Sequence, residues 1–97
     1  MKLNELGFKD RKGKLMVELV IPEMIEGVAE VLTFGAKKYK PNTWQNIDNP
    51  IDTHYGALMR HLLKWRKGIK KDSESKLNHM KHVLTNAMFL LYLNENE

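Results

Sequence analysis

The sequence predicts a mainly α-helical protein, a small three-helix bundle with a short N-terminal β-hairpin. In three segments, apolar residues recur at steps of three and four, which is the period of an amphipathic helix. Turn-forming residues separate these segments. The chain has 97 residues, which is enough for one domain and too few for two. We therefore treat residues 1–97 as a single domain in which any binding site shares one core.

The N-terminal segment departs from the helical pattern. Residues 10–13 have the composition of a turn, and they lead into residues 15–20, where Leu15, Val17 and Leu19 recur at every second position. This alternation places the three side chains on one face of a strand. We expect a short strand or hairpin here, which is stable only if another element covers it.

The first helix is predicted over residues 22–39. Pro22 suits the first position of a helix, because its ring fixes a helical φ, and apolar side chains then follow at the helical period as far as Tyr39. Glu26 and Glu30 lie one turn apart. They can hold a divalent cation through their carboxylate oxygens, but a solvated acidic face explains the same spacing.

The second and third helices are predicted over residues 53–67 and 75–93. Asp52 or Thr53 can cap the second helix, and the polar residues that begin at position 72 can cap the third. The turn-rich connection that precedes the second helix contains one large apolar residue, Trp44. In a polar loop this ring either plugs the core from outside or forms a wall of a ligand site.

The second helix carries candidate ligand contacts. Arg60 and His61 precede Trp65, and His61 and Trp65 lie one turn apart on the same side. Arginine offers a rigid fork for phosphate oxygens, histidine a switchable donor, and tryptophan a flat face on which a base can stack. The alternative interpretation places Trp65 in the core and Arg60 in solvent.

The third helix carries a row of polar side chains. His79, His82 and Asn86 are separated by three and four residues, so they share one face. Because the flanking sequence is apolar, we expect Asn86 to be buried and hydrogen-bonded. The histidines can contact phosphate as cations, ligate a metal or remain satisfied core residues, and the lack of an identified third ligand favours phosphate. Asp72 and Glu74 are first-turn charges that can also reach a metal.

Composition narrows the class of partner and the compartment. Sixteen Lys and Arg against twelve Asp and Glu give a formal charge of +4, which favours anionic partners. Nucleic acid ranks low, because the basic residues are scattered and no nucleic-acid-binding signature is present. The absence of cysteine excludes disulfides and thiolate zinc sites. Without a signal-peptide pattern, and with no apolar run approaching the roughly 20 residues of a membrane span, we expect a cytoplasmic protein with no membrane partner.

Many of these residues together resemble a known family. They resemble, over about residues 14–93, the phage-borne N-terminal domain of dATP/dGTP diphosphohydrolase, which is related to the all-helical nucleoside triphosphate pyrophosphohydrolases. The resemblance implies an oligomeric helical bundle that cleaves a purine deoxynucleoside triphosphate to monophosphate and pyrophosphate with Mg²⁺ or Mn²⁺. The residues that carry it are Pro22, Gly35-Ala36-Lys37-Lys38-Tyr39, Asn42, Trp44, Tyr55, Ala57, Arg60-His61, Trp65, Gly68, Asp72, Glu74-Ser75, His79, His82, Asn86 and Phe89-Leu90.

The spacing arguments and the resemblance together define a candidate site. Its metal ligands would be Asp72 and Glu74 or, with less support, Glu26 and Glu30. Its nucleotide contacts would be Lys38, Tyr39, Asn42, Trp44, Arg60, His61, Trp65, His79, His82 and Asn86.

Two positions leave the activity open. The chain has Ile69 where the family pattern has an acidic residue, and Lys76 where it has a glycine, and nucleotide binding tolerates such changes better than hydrolysis does. One alternative is a non-catalytic protein that sequesters a host signalling nucleotide to counter antiphage defence. Another is an oligomeric interaction protein. In each case we expect a homo-oligomer, because the third helix is apolar on more sides than two helices can cover.

Overall fold

Three α-helices define the architecture. The structure is a computed structural model that describes residues 13–96. The helices are α1 (Pro22–Lys38), α2 (Pro50–Arg66) and α3 (His79–Glu95), and short 3₁₀ turns at Val17–Leu19 and Thr43–Gln45 precede α1 and α2. The prediction of a mainly α-helical fold is confirmed. Within residues 13–96, every helix is too short or too polar to cross a membrane.

The strand predicted over residues 15–20 is wrong. Val17–Leu19 form a 3₁₀ turn, in which the backbone N–H of Val20 donates to the carbonyl of Val17 at 3.1 Å. Leu15, the first residue of the alternating pattern, is 89% exposed, so its side chain is not covered by another element. A period-two pattern of this length forms a stable strand only beside a second strand. The other arm of the predicted hairpin lies outside the described residues.

α1 begins at the predicted residue and ends one residue early. Ile21 is extended, and Pro22 takes the first helical position as expected. At the other end, the backbone N–H of Tyr39 still donates to the carbonyl of Gly35 at 2.8 Å, but Tyr39 itself leaves the helical region. The apolar period therefore located this helix correctly.

α2 starts three residues before its predicted position, and α3 starts four residues after. Asn49 adopts a left-handed φ of 46° before Pro50, so the proline sets the start of α2 instead of a capping side chain one turn later. α3 begins after Asn78, whose side-chain oxygen accepts the backbone N–H of Met80 at 2.8 Å. This is the ordinary geometry of an N-cap asparagine.

The residues predicted as the first turn of α3 form a separate loop, which we call the 72–77 loop. An isolated antiparallel bridge joins Lys71 to Asn78 at its base. Inside the bridge, the backbone N–H of Asp72 donates to the carbonyl of Leu77 at 2.8 Å. Lys76 has a left-handed φ of 65°, which reverses the chain and prevents an earlier start of α3.

α3 packs against both other helices, and these contact α3 more than each other. Gly27 of α1 is buried against Lys81 of α3: a Cβ on Gly27 would lie 3.0 Å from Cγ of Lys81, so the glycine permits the close approach. The ammonium of Lys81 forms an ion pair with Glu30 at 2.7 Å. Among residues 13–96 no apolar side chain is fully buried, and the buried side chains are His54, His79, His82, Thr85 and Asn86.

Candidate functional site

A cleft of about 960 Å³ is lined by all three helices, by the connection between α1 and α2 and by the 72–77 loop. Its volume lies within the range of about 300 to 1,000 Å³ that is typical of small-molecule sites. Two of the predicted metal ligands, Asp72 and Glu74, line it. So do seven of the predicted nucleotide contacts: Lys38, Tyr39, Asn42, Trp44, His61, His82 and Asn86.

Arg60 and Trp65 do not line this cleft. The guanidinium of Arg60 lies back over its own helix, with Nη1 3.1 Å from the position of a Cβ on Gly56, and the residue is exposed. Trp65 is 42% exposed. The intervening residue, His61, points inward instead. The roles of Arg60 and Trp65 as ligand contacts stay predictions, and the structure shows no site that unites them with the cleft.

Glu26 and Glu30 also lie away from the cleft. Glu26 is exposed on α1, and Glu30 is engaged by Lys81 of α3. An ion pair that joins two helices gives Glu30 a structural role. Its one-turn spacing from Glu26 therefore does not bring these carboxylates to the other predicted site residues.

A cluster of three histidines lies where α2 meets the start of α3. Nδ1 of His61 is 2.7 Å from Nδ1 of His79, a hydrogen-bond distance that requires one ring to donate and the other to accept. The ring of His82 stacks on His61, with centroids 4.3 Å apart and planes inclined by 6°. His79 is 1% exposed and does not line the cleft itself, whereas its partner His61 does. The row predicted on α3 thus meets α2 through this cluster.

Asp72 brings a carboxylate to the same cluster. Its Oδ2 accepts the backbone N–H groups of Ser75 at 2.8 Å and Glu74 at 3.2 Å, which fixes the carboxylate at the start of the 72–77 loop. The same oxygen lies 4.0 Å from Nε2 of His82. Nε2 of His82 is also 2.7 Å from the hydroxyl of Ser75. The loop therefore presents one carboxylate and one hydroxyl to the histidines.

Asn86 is buried as expected, and its side-chain amide donates to the carbonyl of His82 at 2.8 Å. This bond runs within α3, one turn back along the helix. It satisfies one donor of the amide and leaves Asn86 as part of the cleft wall. The burial argument from the apolar flanking sequence therefore holds for this residue.

The ionisation states follow from this packing. Burial lowers the pKa of His61 to about 4, and the neighbouring His82 acts in the same direction. Burial also lowers the pKa of His82, against the opposing effect of Asp72. For Asp72 itself, burial raises the pKa, but hydrogen bonds from Ser75 outweigh this and the pKa is lowered. In the chain without ligand, His61 and His82 are therefore uncharged at neutral pH and Asp72 is ionised. Contact of His79 and His82 with phosphate as cations stays a prediction.

An ion pair joins two walls of the cleft. The ammonium of Lys38, at the end of α1, lies 2.8 Å from both carboxylate oxygens of Glu74 in the 72–77 loop. This contact raises the pKa of Lys38. Both side chains remain partly exposed, so an anion that enters the cleft can compete with Glu74 for the lysine.

Aromatic rings line another part of the cleft. Trp44 stacks on Phe89 of α3, with centroids 4.4 Å apart and planes 15° apart, and meets Tyr92 edge-on. Nε2 of His54, which is buried on α2, donates to the carbonyl of Trp44 at 3.0 Å. Trp44 therefore packs against the bundle and lines the cleft as well. The packing of this ring against the bundle is thus observed, whereas its contact with a ligand stays a prediction.

Two residues of the site were not identified from the sequence. His54 lies seven positions before His61, so the two share one face of α2, and this period was a usable signal. Ser75 bonds His82 across the 72–77 loop, and its position follows from the loop conformation. No helical period brings Ser75 and His82 together.

Comparisons with known proteins agree with the resemblance of the sequence. A family model described as dATP/dGTP diphosphohydrolase, N-terminal, matches residues 4–97. The chain belongs to this family. It is similar to a dATP/dGTP diphosphohydrolase of Salmonella phage PMBT28, with 34% identity over 90 residues, which is 93% of this chain. The chain spans about 30% of the length of that relative. No solved structure matches the chain.

The family match covers the residues that form the cleft. The match with the N-terminal dATP/dGTP diphosphohydrolase family includes every residue that lines the cleft. The histidines, Asp72, Lys38 and Trp44 lie in the segment shared with the phage relative over most of this chain. The activity in the name of the relative belongs to a protein more than three times as long, so it is not carried over to this chain by similarity alone.

Proposed function

We propose that this chain binds a purine deoxynucleoside triphosphate in the cleft and hydrolyses it to the monophosphate and pyrophosphate. The observation that supports this proposal is the composition of the cleft along α2. His54 belongs to the aromatic part around Trp44, and His61 belongs to the histidine and Asp72 cluster. Seven residues of helix separate the two parts by about 10 Å. This length suits a base at one part and phosphates at the other.

The aromatic part supplies contacts for the base. Trp44, His54 and Phe89 form one continuous set of ring contacts, and polar Asn42 lies beside Trp44 in the connection between α1 and α2. Sites for nucleotides combine such apolar rings with a few polar groups that fix orientation. The choice of adenine and guanine follows the name of the phage relative.

The polar part requires additional positive charge. The charged side chains that line the cleft are Lys38, Lys40, Asp72 and Glu74, so two positive and two negative formal charges cancel. A triphosphate brings several negative charges into this neutral cleft. A divalent ion, Mg²⁺ or Mn²⁺ by the resemblance, supplies compensating charge and polarises the phosphoanhydride when bound. Of these two ions, Mn²⁺ fits the imidazole and carboxylate donors of the histidine cluster better than Mg²⁺ does.

The polar residues of the cleft surround the place proposed for the phosphates. Lys38 compensates phosphate charge once it leaves Glu74, and the neutral rings of His61 and His82 lie beside the ionised Asp72. The chain has no cysteine, so no thiol competes as nucleophile. In the proposed step, water attacks the α phosphorus, the bond from that phosphorus to the oxygen bridging the β phosphate breaks, and pyrophosphate leaves. The 72–77 loop holds the carboxylate in place through backbone N–H groups.

Sequestration of an intact nucleotide is the second candidate function. It is favoured by the pairing of Glu74 with Lys38, which engages one of the two carboxylates that line the cleft. A protein that only binds needs no stabilisation of a transition state. The ligand would then be a host signalling nucleotide, as the sequence analysis allowed.

The proposal includes assembly of identical chains. Among residues 13–96 no apolar side chain is fully buried, and Ile25 of α1 and Leu91 of α3 are each about 60% exposed. Exposed apolar surface of this extent is typical of an interface. Assembly without any nucleotide binding would instead support the interaction protein.

A nucleotide panel tests the proposed function. The purified chain is incubated with dATP, dGTP, dCTP, dTTP and cyclic or ADP-ribose-type nucleotides, with and without Mn²⁺. Free and heat-released nucleotides are then separated by chromatography. We expect dAMP or dGMP with equimolar pyrophosphate, and loss of product in Asp72→Asn. Asp48→Asn, which changes an exposed carboxylate outside the cleft, is the matched control.

The outcomes of the panel are distinct. Intact ligand recovered only after heating supports sequestration. If no nucleotide yields product and none is retained, both candidate functions are contradicted. The interaction protein is then the remaining hypothesis. Equal turnover of purine and pyrimidine nucleotides contradicts the assignment of the base.

A further inference from the structure

We propose that His61, Asp72 and His79 form a binding site for one first-row transition ion of the Zn²⁺ and Mn²⁺ class, at the inner wall of the cleft. Each residue offers one ligand atom, and these three atoms all lie within 4.8 Å of one another. Among residues 13–96, Glu26 and Glu30 do not belong to this group, and Glu74 is paired with Lys38. The ion-binding set therefore differs from the carboxylate pairs that spacing suggested.

The facing nitrogens are already aimed at a common point. Nδ1 of His61 and Nδ1 of His79 are 2.7 Å apart and share one hydrogen. Two imidazole nitrogens bound to one tetrahedral zinc, at roughly 2.0 to 2.1 Å each, lie about 3.3 Å apart. Replacing the shared hydrogen with an ion therefore requires the rings to separate by only about 0.6 Å, which side-chain rotation provides.

The protein holds the three ligands from separate elements. His61 comes from α2, Asp72 from the start of the 72–77 loop and His79 from the first turn of α3. The backbone N–H of His79 donates to the carbonyl of Lys70 at 2.8 Å, beside the bridge that closes the loop. This bond ties the two chain segments that carry Asp72 and His79. Backbone contacts thus hold the segments that carry Asp72 and His79 close together.

A surrounding layer orients these ligands. His82 stacks on the ring of His61 and bonds the hydroxyl of Ser75, and backbone N–H groups of the loop fix the carboxylate of Asp72. Residues that hold the ligands of a metal site in this way are a regular part of such sites. His82 and Ser75 are therefore positioning residues in this proposal.

The position of the site leaves room for further ligands. His61 and Asp72 line the cleft, whereas His79 lies behind them and is almost completely buried. An ion held by the three would contact protein on one side and the cleft on the other. Three protein ligands with an open position are typical of catalytic metal sites. The open position can take water or a phosphate oxygen.

The donor atoms select the class of ion. Two imidazoles and one carboxylate suit Zn²⁺, Mn²⁺, Fe²⁺ or Co²⁺, whereas Mg²⁺ prefers oxygen ligands and retains its waters. The contribution of the ion to hydrolysis rests on the proposed function, but binding of the ion does not. A test without nucleotide therefore separates the two proposals.

Metal titration of the full chain tests the site. After treatment with chelator and its removal, the protein is titrated with Zn²⁺, Mn²⁺ and Mg²⁺ by calorimetry, and with Co²⁺ while its visible absorption is recorded. We expect one Zn²⁺ or Co²⁺ per chain, an absorption typical of nitrogen and oxygen ligands, and affinity for Mg²⁺ at least 100-fold weaker than for Zn²⁺.

Variants assign the ligands. His61→Gln, Asp72→Asn and His79→Gln should each weaken Zn²⁺ binding by about 10-fold to 100-fold or more. His54→Gln is the matched control, because His54 is a buried histidine on the same helix as His61 and lies outside the three-residue group. Circular dichroism checks the fold of each variant. Should a ligand variant unfold, the imidazole nitrogen resonances of the wild-type protein identify the bound rings.

Two results overturn the site. One is the absence of Zn²⁺ and Co²⁺ binding to the folded wild-type chain. The other is unchanged affinity in folded ligand variants, or wild-type resonances that leave both His61 and His79 unshifted. Pyrophosphate release by a folded wild-type chain that binds neither Zn²⁺ nor Co²⁺ would refute this site and retain the proposed function.

Discussion

The ammonium of Lys38 lies 2.8 Å from both carboxylate oxygens of Glu74, a residue 36 positions further along the chain. This ion pair connects the end of α1 to the 72–77 loop, and both residues line the cleft. Because the two side chains are partly exposed, the pair adds little to stability. The ion pair instead affects the affinity for an anionic ligand, because that ligand and Glu74 compete for the same lysine.

Substitution of the two partners should therefore have opposite effects on nucleotide affinity. Glu74→Gln releases Lys38 and should strengthen dATP binding by about threefold to tenfold, whereas Lys38→Gln should weaken it by a similar factor. Quenching of tryptophan fluorescence at one fixed metal concentration measures both. Weaker binding in Glu74→Gln would contradict the competition and indicate that this carboxylate holds the metal.

Helical periodicity predicted the parts of the molecule that depend on local sequence. It located α1 to within one residue, and it placed His79, His82 and Asn86 on one face of α3. These features are predictable because residues three and four positions apart share one face of a single helix. The burial of Asn86 followed from its apolar neighbours in the same way.

Helical periodicity does not predict contacts between different elements. His61 meets His79 only because the 72–77 loop turns the chain back, and this turn depends on a bridge and on the left-handed Lys76. The sequence at positions 72–75 is equally suited to a helix cap, so it predicts an earlier start of α3 than the structure shows. The strand expected near Val17 failed for a related reason, because a strand needs a partner that the local pattern does not reveal.

The metal-free protein should lose stability as the pH falls from 7.5 to 5. The pKa of His61 is about 4 in the folded chain, against an ordinary value of 6.5. Between these values the unfolded chain binds a proton that the folded chain does not, so stability rises with pH. The contribution of His61 is complete above about pH 6.5 and is lost progressively towards pH 4. The lowered pKa of His82 acts in the same direction.

Partial exposure of His61 to solvent limits the size of this effect. We expect a loss of about 1 to 2 kcal/mol. For a domain of this size, that corresponds to roughly 4 to 10 °C in Tm. Thermal unfolding followed by circular dichroism in chelator-containing buffers at the two pH values measures it. His61→Gln should show a smaller pH dependence than the wild type, and an equal Tm at both pH values would refute the assignment.

Lys76→Gly should stabilise the fold. Lys76 has a φ of 65°, a conformation that costs a side-chain-bearing residue about 1 to 2 kcal/mol. Glycine removes this strain, but its greater freedom in the unfolded chain takes back part of the gain. We expect a net increase of about 0.5 to 1 kcal/mol, or roughly 2 to 6 °C in Tm.

Lys76→Ala separates backbone strain from charge. Alanine removes the ammonium but keeps the Cβ, so it should give none of the gain of glycine. Equal stabilisation by the two substitutions would show that charge, and not the left-handed backbone, is responsible.

Assembly of identical chains should depend on the exposed apolar side chains of α3. Leu91 is 61% exposed, and covering such a side chain contributes about 1.5 to 3 kcal/mol. Leu91→Glu places a charge in the interface and should raise the dissociation constant of the oligomer by about 10-fold or more. Asn94→Glu adds the same charge at an exposed polar position of the same helix, so it should leave assembly nearly unchanged.

Light scattering after size-exclusion chromatography, over a range of micromolar concentrations, gives the mass of each species. A wild-type chain that remains a monomer throughout this range would contradict the assembly, and equal dissociation of both variants would show that charge alone, and not the Leu91 contact, controls it.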